Sequence, residues 1–188
     1  MRFSFPNHGV SFSQRLFYSV IALFLAFVVC FMAFQYRREK DYKVELLNTQ
    51  LQYYNDKFSE YLLQQDTLDT HLLEQYVKRH HLDDLRVTLI DSQGKVIYDN
   101  LSKNPGLFKN HLNRTEMKQA IQSGSGYAIH RLSESVGGEF FYSARQYPEL
   151  GIIIRSALPY NVSLIQSLST DPHYIWFTAI ISSVLIGM

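Results

Sequence analysis

Leu16 to Phe34 reads LFYSVIALFLAFVVCFMAF, nineteen residues without a charge. A bilayer core of about 30 Å takes roughly twenty helical residues to cross, so this run has the length of one span. A cleaved signal sequence is the competing reading. Its apolar core runs about 7–15 residues and ends in a small-x-small cleavage site. Here the run is longer, and FMAFQYRREK offers no Ala-x-Ala pattern. The sequence therefore predicts an uncleaved membrane helix over 16–36, behind an N-terminal tail at 1–15.

A second apolar run, DPHYIWFTAIISSVLIGM, closes the sequence. Asp171 can cap a helix, and Pro172 suits the first helical position, where its missing N–H costs nothing. Tyr174 and Trp176 are amphipathic rings of the kind found at a membrane surface. Ile175 to Met188 carries no charge but is shorter than a full crossing. Residues 171–188 thus read as the start of a second transmembrane helix, truncated, with a short tail anchor as the alternative.

Two spans place residues 37–170 on one side of the membrane. Arg2 and Arg15 precede the first span, while Arg37, Arg38, Lys40 and Lys43 follow it. Counted naively, the middle is cytoplasmic; long translocated domains often escape that rule, so charge leaves the orientation open. Eighteen basic against seventeen acidic residues give no global pull toward nucleic acid, and no basic cluster interleaves with aromatics. Cys30 is the sole cysteine, which excludes an internal disulfide or a cysteine metal site.

Within the middle, Val44, Leu47, Leu51, Tyr54, Phe58 and Tyr61 recur three and four residues apart. This stripe fits either a helix paired with its twin in a dimer or one packed on the domain's own sheet. A second helix is predicted over Leu68 to His80. LRVTLIDSQGKVIYDN then reads as a hairpin, with Asp91, Ser92, Gln93 and Gly94 as the turn. Asn113 can cap a short helix with Glu116 at the capping-box position, Met117, Ala120 and Ile121 on its buried face, and Gly124 as the stop. Strands follow at Tyr127 to Leu132, Glu139 to Gln146 and Gly151 to Ala157. The order predicts an α+β fold: a five-stranded antiparallel sheet with helices to one side, a long N-terminal helix and a membrane helix at each end.

The successive stretches VTLIDSQGKVIYDN, NHLNRTEMKQAIQSGSGYAIHRLSES and FFYSARQYPELGIIIRSALP carry a pattern. A strand with an Asp-x-x-Gly turn leads to Tyr98-Asp99. Asn110-His111, Arg114 and Glu116 follow on a helix, then Gly124-x-Gly126, Arg131-x-Ser133, Tyr142, and Gly151 with Arg155. Over about 85–160 this resembles the extracytoplasmic PAS-like sensor domain of bacterial sensor histidine kinases of the phosphate-regulon-sensor type. The resemblance implies a protein of the bacterial inner membrane, its middle region outside the cytoplasm and its N-terminal tail at 1–15 cytoplasmic. It also implies a homodimer, a small or peptide ligand, and a cognate response regulator reached through a C-terminal kinase. ATP and Mg²⁺ would belong to that kinase part; these 188 residues call for no cofactor of their own. A chemoreceptor, a cyclic-nucleotide enzyme, or a doubly anchored envelope binding protein could carry the same input architecture.

Candidate chemistry is sparse. His71, His80 and His81 lack cysteine support and read as surface residues rather than a zinc site. Asp83-Asp84 lacks a calcium-loop spacing. HLDDLR precedes a strand, unlike a phosphoacceptor box in mid-helix, and SGSG is no nucleotide loop. No nucleophile or paired acid stands out, so no catalytic residue is assigned. Arg114, Arg131, Tyr142 and Arg155 could hold an anionic ligand through forked hydrogen bonds, if they converge. Otherwise the arginines satisfy Asp99, Glu116 or loop carbonyls. Strand alternation places neighbours on opposite faces and so argues against convergence.

Overall fold

The computed structural model describes residues 11–65, 69–80, 84–102, 110–133, 137–161, 164, 166, 168 and 173–187. It divides into two units, Met1–Tyr42 with Ser169–Met188, and Lys43–Leu168. Helix α1 (Phe12–Leu63) contributes to both. No glycine or proline interrupts it, and its start is a reciprocal capping box. Gln14 N–H donates to Ser11 Oγ at 3.3 Å and Ser11 N–H donates to Gln14 Oε1 at 3.0 Å.

In the first unit, an 18-residue stretch of α1 has a mean hydropathy of 2.6 and none of it is buried by protein. Phe17, Phe27 and Phe34 all lie open. Leaving that much apolar surface in water is unfavourable by about 25 cal/mol per Å², and the stretch has the length and composition that suit a lipid surround. This is the one helix among the described residues long and apolar enough to cross a membrane. The closing helix α4 (His173–Gly187) exposes Trp176 and Phe177. Thr178 on it donates to Met32 Sδ of α1 at 3.5 Å. Asp171 and Pro172 lie outside the described residues.

The second unit is a five-stranded sheet of order β2-β1-β5-β4-β3, antiparallel throughout. Its strands are β1 (Arg86–Asp91), β2 (Val96–Asp99), β3 (Ser125–Leu132), β4 (Glu139–Tyr147) and β5 (Ile152–Pro159). The β1–β2 turn forms as the sequence predicts. Asp91 Oδ1 accepts from the Gln93 and Lys95 amides, both at 2.9 Å, and Gly94 takes φ +83.

Helix α2 (Thr70–Arg79) starts later than predicted. Asp69 is its cap, accepting from the His71 amide at 2.9 Å, and Leu68 lies outside the described residues. Helix α3 (Thr115–Ser123) is capped at Arg114 without a side-chain hydrogen bond, so Asn113 is not the cap. Glu116 is drawn inward instead of reaching back along its own helix. Gly124 does end α3, in the left-handed conformation at φ +87.

Helices cover both faces of the sheet, which corrects the one-sided arrangement expected. On one face, Val44, Leu51, Tyr54, Phe58 and Leu62 of α1, with Leu73, Tyr76 and Val77 of α2, pack on Val87, Leu89, Phe141 and Ile154. The apolar stripe of α1 is therefore spent on the domain's own sheet. On the other face, Met117 and Ala120 of α3 cover Ile90, Ala144 and Ile153. Period-two alternation sends Leu89 and Ile90 to opposite sides, so each strand serves both layers.

Candidate functional site

Beyond the apolar patch under α3, the same sheet face turns polar. Thr88 on β1 stands opposite Arg155 on β5 and opposite Asp99 on β2. Tyr142 on β4 is flanked by Ala157 and Ala128, two small residues that leave room for its ring. Arg131 should point away by strict alternation. An irregularity between Ala128 and Arg131 shifts the register by one residue, with His130 at φ +58, and pairs Arg131 with Phe140. Such a bulge re-aims the side chain, here onto the face that carries Tyr142.

Three of the four expected ligand residues come together. The Arg131 guanidinium carbon lies 3.9 Å from the Tyr142 ring centroid, and that of Arg155 lies 4.9 Å away. Both arginines thus lean on one π-face system. Glu116 Oε1 accepts from Arg131 Nη2 at 2.9 Å and, at 3.5 Å, from Arg155 Nη1. Arg114, the fourth, sits at the head of α3 and is partly buried. Its positive charge reaches the cluster, lowering the pKa of both Arg155 and His111.

A second ion pair adjoins the first. Arg86 donates to Asp99 Oδ2 through Nη2 at 2.7 Å and through Nε at 3.0 Å, and its Nη1 donates to Ser133 Oγ at 3.0 Å. Thr88 links the two pairs: its hydroxyl donates to Asp99 Oδ2 at 3.1 Å and accepts from Arg155 Nη2 at 3.2 Å. Arg155 is fully buried, and desolvation, ahead of every charge effect, pulls its pKa down to about 10. The imidazole of His111 is held neutral, its pKa down at about 2. Burial is the main cause, followed by the charges of Arg155, Arg114, Arg131 and Arg86. The charges of four arginines thus act on one buried imidazole.

Glu116, Arg86, Thr88 and His111 were not assigned as site residues from sequence. Glu116 carried a signal: with Met117 and Ala120 it falls on one face of α3 at helical spacing. Among the described residues, Glu116 Oε2, Tyr142 OH and the Nε atoms of Arg131 and Arg155 are buried without hydrogen-bond partners.

On the opposite, α1–α2 side lies a groove of about 710 Å³ lined by Tyr53, Tyr54, Lys57, Tyr76 and His80 among others. His80 stacks on Tyr76 at 4.2 Å, and His71 meets the Gln75 amide at 2.9 Å. Among the described residues, no three His, Cys, Asp or Glu side chains group as metal ligands; His81 and Asp83 lie outside them.

No family model matches the chain, and no curated protein matches it. Among solved structures, the chain is similar to the extracellular domain of the "putative histidine kinase rpHK1S-Z16". The identity is 15%, covering 51% of this chain and 39% of that one, with a TM-score of 0.41. The chain thus spans about two fifths of that structure's length.

Proposed function

We propose that the chain is the signal-sensing input region of a membrane-bound sensor histidine kinase. An extracytoplasmic stimulus would be passed across the bacterial inner membrane to a C-terminal kinase that uses ATP and Mg²⁺ and phosphorylates a response regulator. The protein works as a homodimer. The observation that carries this reading is α1: one uninterrupted helix holds both the span-length apolar run and the stripe that packs on the sheet. The strand order and the sequence resemblance over about 85–160 support it further.

The stimulus acts at Arg131, Tyr142 and Arg155, with Arg114 shaping the local field. Occupancy can shift a balance between two packings only through differential affinity for them. Strand β4 is the element that feels both sides. Tyr142 faces the site, while the next residue, Ser143, is hydrogen-bonded to Gln52 of α1.

Two measurements test the reading. Residues 1–188 fused to the relay and kinase part of a known sensor histidine kinase should make phosphorylation depend on an external stimulus. Substituting Glu60→Cys in the full-length protein should give a thiol that an impermeant reagent labels in intact cells. Protection of that thiol, or a chimera that responds to no external condition, would remove the sensor reading.

A further inference from the structure

We infer that the Arg131–Tyr142–Arg155 cluster binds a small oxyanion that carries an O–H donor of its own, a hydroxycarboxylate or a hydrogen phosphate. The inference rests on the sensor reading and names the chemical class of its signal.

Charge comes first. Two guanidiniums share the single carboxylate of Glu116, so among the described residues the Arg131–Arg155–Glu116 cluster holds one positive charge more than it neutralises. Arg155 and Glu116 have fully buried side chains. An unbalanced charge away from water is expensive, and a bound counter-ion is the direct remedy. His111, depressed first by burial, is depressed further by the charges of Arg155, Arg114, Arg131 and Arg86.

Hydrogen-bond capacity then specifies the partner. The Nε–H groups of Arg131 and Arg155 and the hydroxyl of Tyr142 are buried and unused among the described residues. Each is a buried donor beside two guanidinium charges, and each suits an oxyanion oxygen. Glu116 Oε2 is equally unused, but it is an acceptor. A bare oxyanion would satisfy the donors and set its own negative charge beside that oxygen. An oxyanion with a hydroxyl satisfies both, its oxygens on the arginines and its O–H on Glu116 Oε2. Access is from the side of Arg131, whose side chain is 22% exposed while those of Glu116 and Arg155 show no surface. In the structure, Glu116 occupies the arginines as an internal counter-ion, and the incoming anion takes over part of that role.

The test uses the full chain in detergent micelles, titrated calorimetrically with two matched pairs: lactate against acetate, and inorganic phosphate against sulfate. Only the first member of each pair carries an O–H donor near neutral pH. The expected result is saturable binding, with one hydroxylated member about tenfold or more tighter than its partner, one charged hydrogen bond's worth. Which pair discriminates separates carboxylate from phosphate. Arg131→Gln and Tyr142→Phe should each weaken binding about tenfold or more, while an unchanged unfolding midpoint without anion shows that the fold is kept. Tyr142→Phe retains the ring under both arginines and loses only the hydroxyl. Equal affinity within both pairs, no binding of any of the four, or wild-type affinity in both variants would overturn the inference. A chimera that still answers an external stimulus in those cases leaves the sensor reading standing.

Discussion

Gln52 of α1 donates through Nε2 to Ser143 Oγ of β4 at 2.7 Å, across 91 residues of sequence. It belongs to a ladder. Ser143 in turn donates to Asn48 Oδ1 at 2.7 Å, and Gln52 also donates to the Ala144 carbonyl at 3.0 Å. One turn on, Asp56 accepts from Tyr147 OH at 2.6 Å and from Arg145 Nη1 at 2.9 Å. Asn48, Gln52 and Asp56 are spaced four apart, so one polar ridge of α1 is stitched to one strand. Hydrogen bonds set register where apolar packing alone would tolerate slippage. That makes β4 the mechanical neighbour of the helix that also carries the apolar run.

Gln52→Ala removes two buried donor contacts and leaves Ser143 Oγ and the Ala144 carbonyl short of a partner. A loss of about 1–3 kcal/mol is expected. Denaturant unfolding of the full chain in micelles measures it. In the kinase chimera the same variant should blunt the response while anion binding is retained, because the site lies on the other face of β4.

Arg86 and Asp99 have no exposed side-chain surface, and their charges are compensated by each other. Asp99→Ala would strand a buried guanidinium and should cost about 3–5 kcal/mol. Replacing both residues with apolar side chains of similar size should recover much of that loss. An unfolding midpoint in the double variant as low as in the single one would contradict the pairing.

Gly126 lies where α3 crosses β3. A Cβ there would collide with Gln119 Cβ and come 2.5 Å from the Glu116 carbonyl oxygen. Gly126→Ala should destabilise by about 1–3 kcal/mol as α3 is pushed outward. Because Glu116 sits at that crossing, oxyanion affinity should shift as well, which calorimetry reads separately from the unfolding midpoint.

His111 has a folded-state pKa of about 2 against an ordinary value of 6.5. Between those values the unfolded chain binds a proton that the folded chain refuses, so stability rises with pH across the window. The contribution is fully present above about pH 6.5 and is lost progressively as pH falls toward 2. His111→Gln should flatten the difference in unfolding midpoint between about pH 4 and about pH 7. An unchanged slope would show that the imidazole titrates normally.

Much of this architecture was open to reading from the residues in order. The long apolar helix, the Asp91–Gly94 turn, the Gly124 stop and the α+β sequence of elements all depend on contacts within a few residues. Local chemistry states them directly. The α1 stripe was legible as a stripe, but nothing local says whether a twin or the chain's own β-sheet fills it; Leu51 and Phe58 lie against Leu89 and Ile154 only because the chain returns.

The site divides the same way. Residue type marked Arg114, Arg131, Tyr142 and Arg155 as a candidate set, yet alternation argued that the strand residues among them would not meet. A one-residue bulge before Arg131 reversed that, and a bulge is decided by pairing with β4 rather than by β3 alone. Glu116 fitted two expectations, a capping residue or a partner for the arginines, and two arginines from distant strands do claim its carboxylate. Short-range propensity is written in the sequence. Partner choice among buried charges is decided by which strands lie side by side, because desolvated ions cannot stay unpaired and must take the counter-charge that the fold delivers.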